Sequence, residues 1–123
     1  MRIIIAGSRF FNDYDFLSRE VNRIIKELNV SFSDISIISG TAIGADQLGE
    51  KFAKENNINL KYFPAQWDKL GKAAGFLRNK EMANYAKEDN GVLIAFWNGK
   101  SRGTSHMIDY CKYIELKVFV CKF

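Results

Sequence analysis

The chain opens on the stretch RIIIAGSR at residues 2–9, and the rest of the sequence repeats its pattern. Consecutive isoleucines favour a strand that is buried on both faces, because β-branched side chains suit an extended backbone. Gly7 ends the run and begins a turn of small and polar residues. Similar apolar runs recur along the chain, so strands are predicted at residues 2–6, 34–38, 60–63, 91–96 and 116–121.

Longer amphipathic stretches separate these strands. Their apolar residues recur at helical spacing, which predicts helices at residues 14–29, 43–56, 75–86 and 103–114. Asp13 is placed to cap the first helix. Each connection can hold a right-handed helical crossover, so the sequence predicts an α/β fold, a doubly wound parallel sheet of about five strands with helices on both faces. No linker or repeat divides residues 1–123, which indicates a single domain.

Composition limits the kinds of partner. The formal charge of +4 comes from 18 Lys and Arg against 14 Asp and Glu, without a long run of like charges. This balance suits a pocket for an anionic small molecule and disfavours nucleic acid as the main partner. Cys111 and Cys121 lie in apolar surroundings, so we expect reduced core thiols, no metal and no other cofactor. No leader or membrane segment is evident, and we expect a cytoplasmic protein.

Three turns that follow strands are rich in glycine and polar residues. In a doubly wound sheet, ligands bind beyond the carboxyl ends of the strands, where these turns lie. Small residues at a helix start also leave backbone amides free for an anion. The predicted ligand-binding residues of these turns are Gly7, Ser8, Arg9, Ser39, Gly40, Thr41, Ala42, Asp46, Trp97, Gly99, Ser101, Gly103 and Thr104.

Several of these residues have two interpretations. Arg9 is either a phosphate ligand or a solvated side chain in an ordinary turn. Asp46 either stabilises the first turn of a helix or binds a ribose hydroxyl. Trp97 either stacks on a base or packs in the core. His106, the only histidine, is more typical of a surface or capping residue than of a catalyst.

The segment WDKLGKAAG at residues 67–75 is predicted to be an irregular loop, and long loops in compact domains are often functional lids. Trp67 belongs to this lid. Arg78 and Asn79 follow in the first turn of the next predicted helix, where a cation opposes the helix dipole. An anion bound near Arg78 would account for that placement, although a solvated arginine is the alternative.

Taken together, these turns resemble the YspA/YpsA-related branch of the SLOG superfamily. The resemblance rests on five ordered motifs, namely AGSR at 6–9, SGxAxGAD at 39–46, PAxW at 64–67, AGxxRNxxM at 74–82 and AFWxGxSxGT at 95–104. It extends over residues 3 to about 114. It implies a Rossmann-like fold that holds nucleotides or nucleotide-derived signals at these loops. The branch is common in phages and mobile elements, and a homodimer or higher homo-oligomer is expected on the same grounds.

One position differs from the sequence pattern of a related group of enzymes. In the LOG phosphoribohydrolases, a segment similar to Gly103-Thr104 is followed by a catalytic glutamate, and Met107 stands at that position in this chain. A methionine cannot ionise or accept a proton, so the resemblance favours binding over LOG-type hydrolysis. Asp46 or Asp109 could substitute for the glutamate, but the spacing does not require it.

Three functions follow as hypotheses. The first is binding of a nucleotide or ADP-ribose-derived small molecule by a sensor or sequestering protein, including a phage protein that counters nucleotide-signal immunity. The second is a hydrolase that cleaves an N-glycosidic or phosphate bond of a nucleotide, with Arg78 and Asp46 as its catalytic residues. The third is single-stranded DNA binding, by analogy with DprA.

Overall fold

The computed structural model describes residues 1–123, with every side chain except that of Lys72. Five strands form one parallel sheet in the order β3-β2-β1-β4-β5. The strands are β1 (Arg2–Gly7), β2 (Ser36–Ser39), β3 (Asn59–Tyr62), β4 (Val92–Trp97) and β5 (Lys117–Lys122). This architecture confirms the predicted Rossmann-like α/β fold.

Helices cover both faces of the sheet. They are α1 (Tyr14–Glu27), α2 (Ala45–Glu55), the short α3 (Trp67–Leu70), α4 (Ala74–Lys87) and α5 (Arg102–Tyr113). Side chains alternate along β1, so Ile3 and Ile5 pack with α1 and α2, whereas Ile4 packs with α4 and α5. Within the described residues, every helix is too short or too polar to cross a lipid bilayer.

The structure confirms the predicted helix cap and the buried cysteines, but the predicted start of the second strand was wrong. Asp13 caps α1, because its carboxylate accepts a hydrogen bond from the amide of Phe16 at 3.1 Å. Cys111 and Cys121 are free and buried, and burial raises the pKa of Cys111 to about 12. The second strand begins at Ser36 rather than at residue 34, because Phe32–Asp34 forms a 3-10 turn.

The predicted irregular loop is also partly helical. Helix α3 is followed by a 3-10 turn at Gly71–Ala73, and α4 then begins at Ala74. Arg78 therefore lies just beyond the first turn of α4, not within it as the sequence predicted. The opposition between its charge and the helix dipole is correspondingly weaker, since that effect falls off within the first turn.

The sheet reverses its strand order between β1 and β4. The chain builds β1, β2 and β3 towards one edge and then returns to place β4 beside β1. The loops after β1 and β4 consequently diverge to opposite faces and leave a crevice at the carboxyl ends of these strands.

The backbone of Ser8 joins the turns around this crevice. Its amide donates to the carbonyl of Phe96 at 3.0 Å, and its carbonyl accepts from the amide of Ala45 at 3.2 Å. The glycines on either side of this junction leave no room for a side chain. A Cβ on Gly7 would lie 2.3 Å from the Phe96 carbonyl oxygen, and a Cβ on Gly44 would lie 2.4 Å from that of Ser8.

A third close approach sets the distance between α2 and the sheet. A Cβ on Gly49 would lie 2.8 Å from Cγ2 and 2.9 Å from Cβ of Ile5, which is fully buried in the middle of β1. We therefore expect Gly49→Ala to lower the free energy of unfolding by about 1–3 kcal/mol through overpacking, despite alanine's higher helix propensity. Denaturant titration would measure this change.

Gly103→Ala is the matched control, because Gly103 is also helical and a Cβ there meets no atom within 4 Å. Its unfolding free energy should stay the same or rise slightly. If Gly49→Ala and Gly103→Ala have equal unfolding free energies, α2 can move away from β1 without loss of stability.

Candidate functional site

A cavity of about 580 Å³ occupies the crevice at the carboxyl ends of β1 and β4. Its walls come from the turns after β1, β2 and β4, from Trp67 of α3, and from the N-terminal halves of α4 and α5. Its volume and its location at the reversal of strand order are typical of small-molecule sites in α/β proteins.

The structure brings most of the predicted binding residues together. Those that line the cavity are Gly7, Ser8, Arg9, Ala42, Asp46, Trp67, Arg78, Asn79, Ser101, Gly103 and Thr104. They come from three predicted turns, the predicted lid and the helix that follows the lid, which are far apart in the sequence. Their role as ligand-binding residues stays a prediction, since the cavity shows only that they share one space.

Five predicted residues, namely Ser39, Gly40, Thr41, Trp97 and Gly99, lie outside the cavity lining. The Ser39 hydroxyl donates to Glu50 at 2.6 Å and accepts from the amide of Thr41 at 3.0 Å. The Gly40 carbonyl accepts a hydrogen bond from the Arg78 guanidinium. The Trp97 indole N–H donates to the carbonyl of Ser101 at 3.1 Å, and its ring packs against the core beneath α4 and α5. Gly99 is exposed.

Other cavity residues were not predicted. They are Ala6, Phe10, Gly75, Phe76, Met82, Asn98, Lys100 and Met107. Phe10 and Lys100 lie within or next to turns that the sequence singled out, so their position after a strand was an available signal. Met82 and Met107 line the cavity from interior turns of helices, and the family resemblance had marked both positions, Met82 in the AGxxRNxxM motif and Met107 at the position of the LOG glutamate.

The cavity is rich in positive charge. Arg9, Arg78 and Lys100 all line it, and among the described side chains none of the three has a carboxylate within 4 Å. Burial lowers the pKa of Arg78, the charge of Asp46 opposes this effect, and the charge of Arg9 lowers the pKa further. Three cations line the cavity together with a single carboxylate, that of Asp46, so the remaining positive charge favours an anion in the space they share.

A chain of hydrogen bonds fixes the Arg78 side chain. Its Nη1 donates to the Gly40 carbonyl, and its Nε donates to Oδ1 of the buried Asn79 at 3.2 Å. The Asn79 amide nitrogen in turn donates to the Gly103 carbonyl at 3.2 Å. Asn79 therefore ties the arginine on α4 to the first turn of α5.

His106 completes this chain. Its Nδ1 lies 3.3 Å from the amide nitrogen of Asn79, whose oxygen already accepts from Arg78. The amide orientation set by Arg78 makes Asn79 the donor, so Nδ1 accepts and the imidazole is neutral. Burial and the charge of Lys80 lower the pKa of His106, which favours the same neutral form.

Asp46 is the acidic residue of the cavity. Its side chain is buried, and Oδ2 accepts from the amide of Ala42 at 3.2 Å. No other hydrogen bond to this carboxylate involves a described residue. A Cβ on Gly40 would lie 2.8 Å from Oδ2 of Asp46 and 2.7 Å from Nη1 of Arg78, so the missing side chain of Gly40 lets the two charges approach each other. Burial raises the pKa of Asp46 to about 6, although Arg78 opposes the rise.

Helix N-termini surround the same space. The N-cap residues of α2 and α4, Gly44 and Ala73, make no side-chain capping bond, whereas Ser101 caps α5 by accepting from the amide of Thr104 at 3.4 Å. The first turns of α4 and α5 contain no acidic residue. The positive ends of these helices therefore add to the field of the arginines.

The position of Met107 bears on catalysis. Its side chain is buried and lines the cavity beside Met82, so this wall is apolar. Asp46 approaches the cavity from α2, which packs on the opposite face of the sheet. The described residues form no cluster of His, Cys, Asp and Glu that could hold a metal ion.

The raised pKa of the buried Asp46 carboxylate predicts how the stability of the protein depends on pH. Because the pKa of Asp46 is about 6 in the folded protein and 3.8 ordinarily, the folded protein binds this proton more tightly. Protonation of Asp46 therefore stabilises the folded protein below pH 4. This stabilisation, on the order of 3 kcal/mol in total, is lost as pH rises to 6. Asp46→Asn should remove this loss, so the variant gains stability over the native protein mainly between pH 4 and 6 and keeps the gain at pH 7.

Urea unfolding of both proteins across this pH range would measure the difference, and titration of the Asp46 carboxyl by NMR would give the pKa directly. A stability difference that does not change with pH would contradict the buried, high-pKa carboxylate.

The sequence is similar to those of known proteins. A sequence model of the YspA, cpYpsA-related SLOG family matches residues 1–70, which include β1, β2 and the turns that follow them. The chain is 32% identical over 114 residues to the Gene 61 protein of Mycobacterium phage D29, across 85% of this chain and 83% of that protein. No solved structure gives a significant match. The chain belongs to the YspA, cpYpsA-related SLOG family.

Proposed function

We propose that this protein binds a phosphate-bearing small molecule, a nucleotide or an ADP-ribose derivative, in the cavity between β1 and β4. The observation that carries the proposal is the set of cavity cations, Arg9, Arg78 and Lys100, none of which has an ion-pair partner among the described side chains. An anion would relieve the repulsion between the two arginines and would also meet the positive end of α4.

Asp46 favours a phosphate that is attached to a sugar, as in a nucleotide, over a simple anion. Asp46 keeps one carboxylate oxygen without a hydrogen bond from a described residue, and this side chain lines the cavity. An ionised carboxylate accepts hydrogen bonds but cannot donate them, so it suits the hydroxyl groups of a ribose and repels a second phosphate. Phosphate near the arginines and ribose near Asp46 would satisfy both groups.

The biological role that we propose is that of a sensor or a sequestering protein, acting as a homodimer or higher homo-oligomer. Met107 supports binding without turnover, since an apolar side chain fills the place where the LOG-like segment would hold a catalytic glutamate. The similarity to a phage protein is in keeping with sequestration of a nucleotide signal during infection.

Hydrolysis is the second candidate, and Asp46 is the observation in its favour. A buried carboxylate whose pKa is about 6 can accept a proton near neutral pH, which is the requirement for a general base. This alternative predicts product from nucleoside monophosphates or NAD-like substrates, and loss of product with Asp46→Asn. Intact substrate after long incubation with concentrated protein would reject it and leave the binding function in place.

Replacing the cavity arginines tests the binding function. We expect Arg9→Met and Arg78→Met each to weaken binding about tenfold or more, since each removes a charge-assisted hydrogen bond to phosphate. A thermal-shift screen against nucleoside phosphates, ADP-ribose and cyclic ADP-ribose would identify a ligand, and isothermal titration calorimetry would then give the affinities.

Arg19→Met is the matched control, because Arg19 is exposed on α1 and does not line the cavity. Arg9 is exposed as well, so its variant should fold normally even if loss of the Arg78 hydrogen bonds destabilises the other. No stabilisation by any phosphate-bearing compound would overturn the proposal. Binding to oligodeoxythymidylate that weakens steeply with salt would favour the DNA-binding alternative.

A further inference from the structure

Three aromatic side chains border the cavity at its exposed mouth. Phe10 follows β1, Trp67 begins α3, and Phe76 lies in the first turn of α4. Their exposed fractions are 88%, 48% and 46% respectively. Large aromatic rings exposed to water around a single polar cavity form an apolar surface. A bound group that covered this surface would bind more tightly, because burial of apolar surface is favourable.

These three aromatic rings do not stack on one another in the described structure. Among the described aromatic pairs, none joins Phe10, Trp67 and Phe76 together, and Phe76 contacts only the imidazole of His106, at 4.5 Å between centroids. Trp67 makes no hydrogen bond through its indole N–H to a described residue. A flat group could therefore contact these rings without displacing an existing stack.

The indole of Trp67 lies close to the start of α4, beside Gly75. A Cβ on Gly75 would lie 3.2 Å from Cη2 of the indole and 4.0 Å from Nη2 of Arg78. The indole edge and the guanidinium therefore lie on the same side of α4, one at the exposed mouth and the other half-buried within the cavity. An occupant of the cavity meets aromatic surface and positive charge within a few ångströms.

This pairing selects for one ligand chemistry. A sugar phosphate would use the arginines and leave the rings in water, and a purely apolar molecule would leave the arginines unpaired. A nucleoside phosphate carries both a phosphate and a flat aromatic base, and base stacking on aromatic side chains is a recurrent mode of recognition.

We infer that Trp67 and Phe76, with Phe10, form a base-stacking subsite at the mouth of the cavity, which contacts the base of the proposed nucleotide ligand. The inference rests on the proposed function and adds the part of the ligand that gives it specificity. It also replaces Trp97 as the stacking residue, since the Trp97 indole lies outside the cavity lining and its N–H is bonded to Ser101.

Calorimetry with two kinds of ligand tests the subsite. The four common nucleoside 5′-monophosphates carry a base, and ribose 5-phosphate does not. We expect at least one nucleotide to bind the native chain about fivefold or more tightly than ribose 5-phosphate. Trp67→Leu and Phe76→Leu should remove most of that difference without changing the affinity for ribose 5-phosphate. Tyr113→Leu is the matched control, since Tyr113 is an exposed aromatic residue that does not line the cavity.

Tryptophan fluorescence gives an independent measurement. The chain has two tryptophans, so Trp67→Leu leaves Trp97 as the only one. Stacking on Trp67 should quench the native emission when the nucleotide is added but not when ribose 5-phosphate is added. The emission of Trp67→Leu should not respond to either compound.

Distinct outcomes would overturn this inference. If nucleotides and ribose 5-phosphate bind equally well, or if the aromatic variants weaken both equally, phosphate binding stands and the stacking subsite is rejected. If Trp67→Leu and Phe76→Leu convert an oligomer to a monomer while nucleotide affinity is unchanged, the rings serve a subunit contact instead. If no phosphate-bearing compound binds at all, the proposed function fails and the subsite with it.

Discussion

The meeting of three turns at the backbone of Ser8 is the constraint on which the site depends. Both its amide and its carbonyl are used by other segments, the amide by Phe96 and the carbonyl by Ala45. The turn after β1 is thereby fixed to the end of β4 and to the start of α2. Glycine is required on both sides of this junction, because the backbones are too close for a Cβ at Gly7 or Gly44. The cavity is the space that these joined turns leave open beneath α4 and α5.

The fold and the convergence of the predicted turns on one cavity were accessible from sequence for a simple physical reason. A strand that is buried on both faces needs a continuous apolar run, as at residues 2–6, and a parallel sheet needs a helix between successive strands. The turns after such strands must converge on one edge, so their glycines and polar residues could be assigned to a common site before any coordinates. Eleven of the predicted residues line one cavity on this basis.

What the sequence could not supply was the direction of individual side chains. Trp97 and Trp67 both lie in or beside predicted turns, but the Trp97 indole bonds to Ser101 whereas Trp67 is at the cavity mouth. That difference depends on the path of α3, which sequence periodicity did not resolve in so short a helix. The hydrogen-bond chain from Arg78 through Asn79 to His106 was likewise out of reach, since it joins residues on two helices whose packing is set by the whole sheet.

The Ser8 junction also bears on how the protein folds. The residues that meet there belong to the first, second and fourth strand-end turns, so the contacts have high sequence separation and pay a large loop-closure entropy before they form. The cavity consequently needs contacts between segments that are far apart in the sequence, including the pairing of β4 with β1. A nascent chain on the ribosome therefore lacks the complete cavity until β4 and the start of α5 have emerged and β4 has paired with β1.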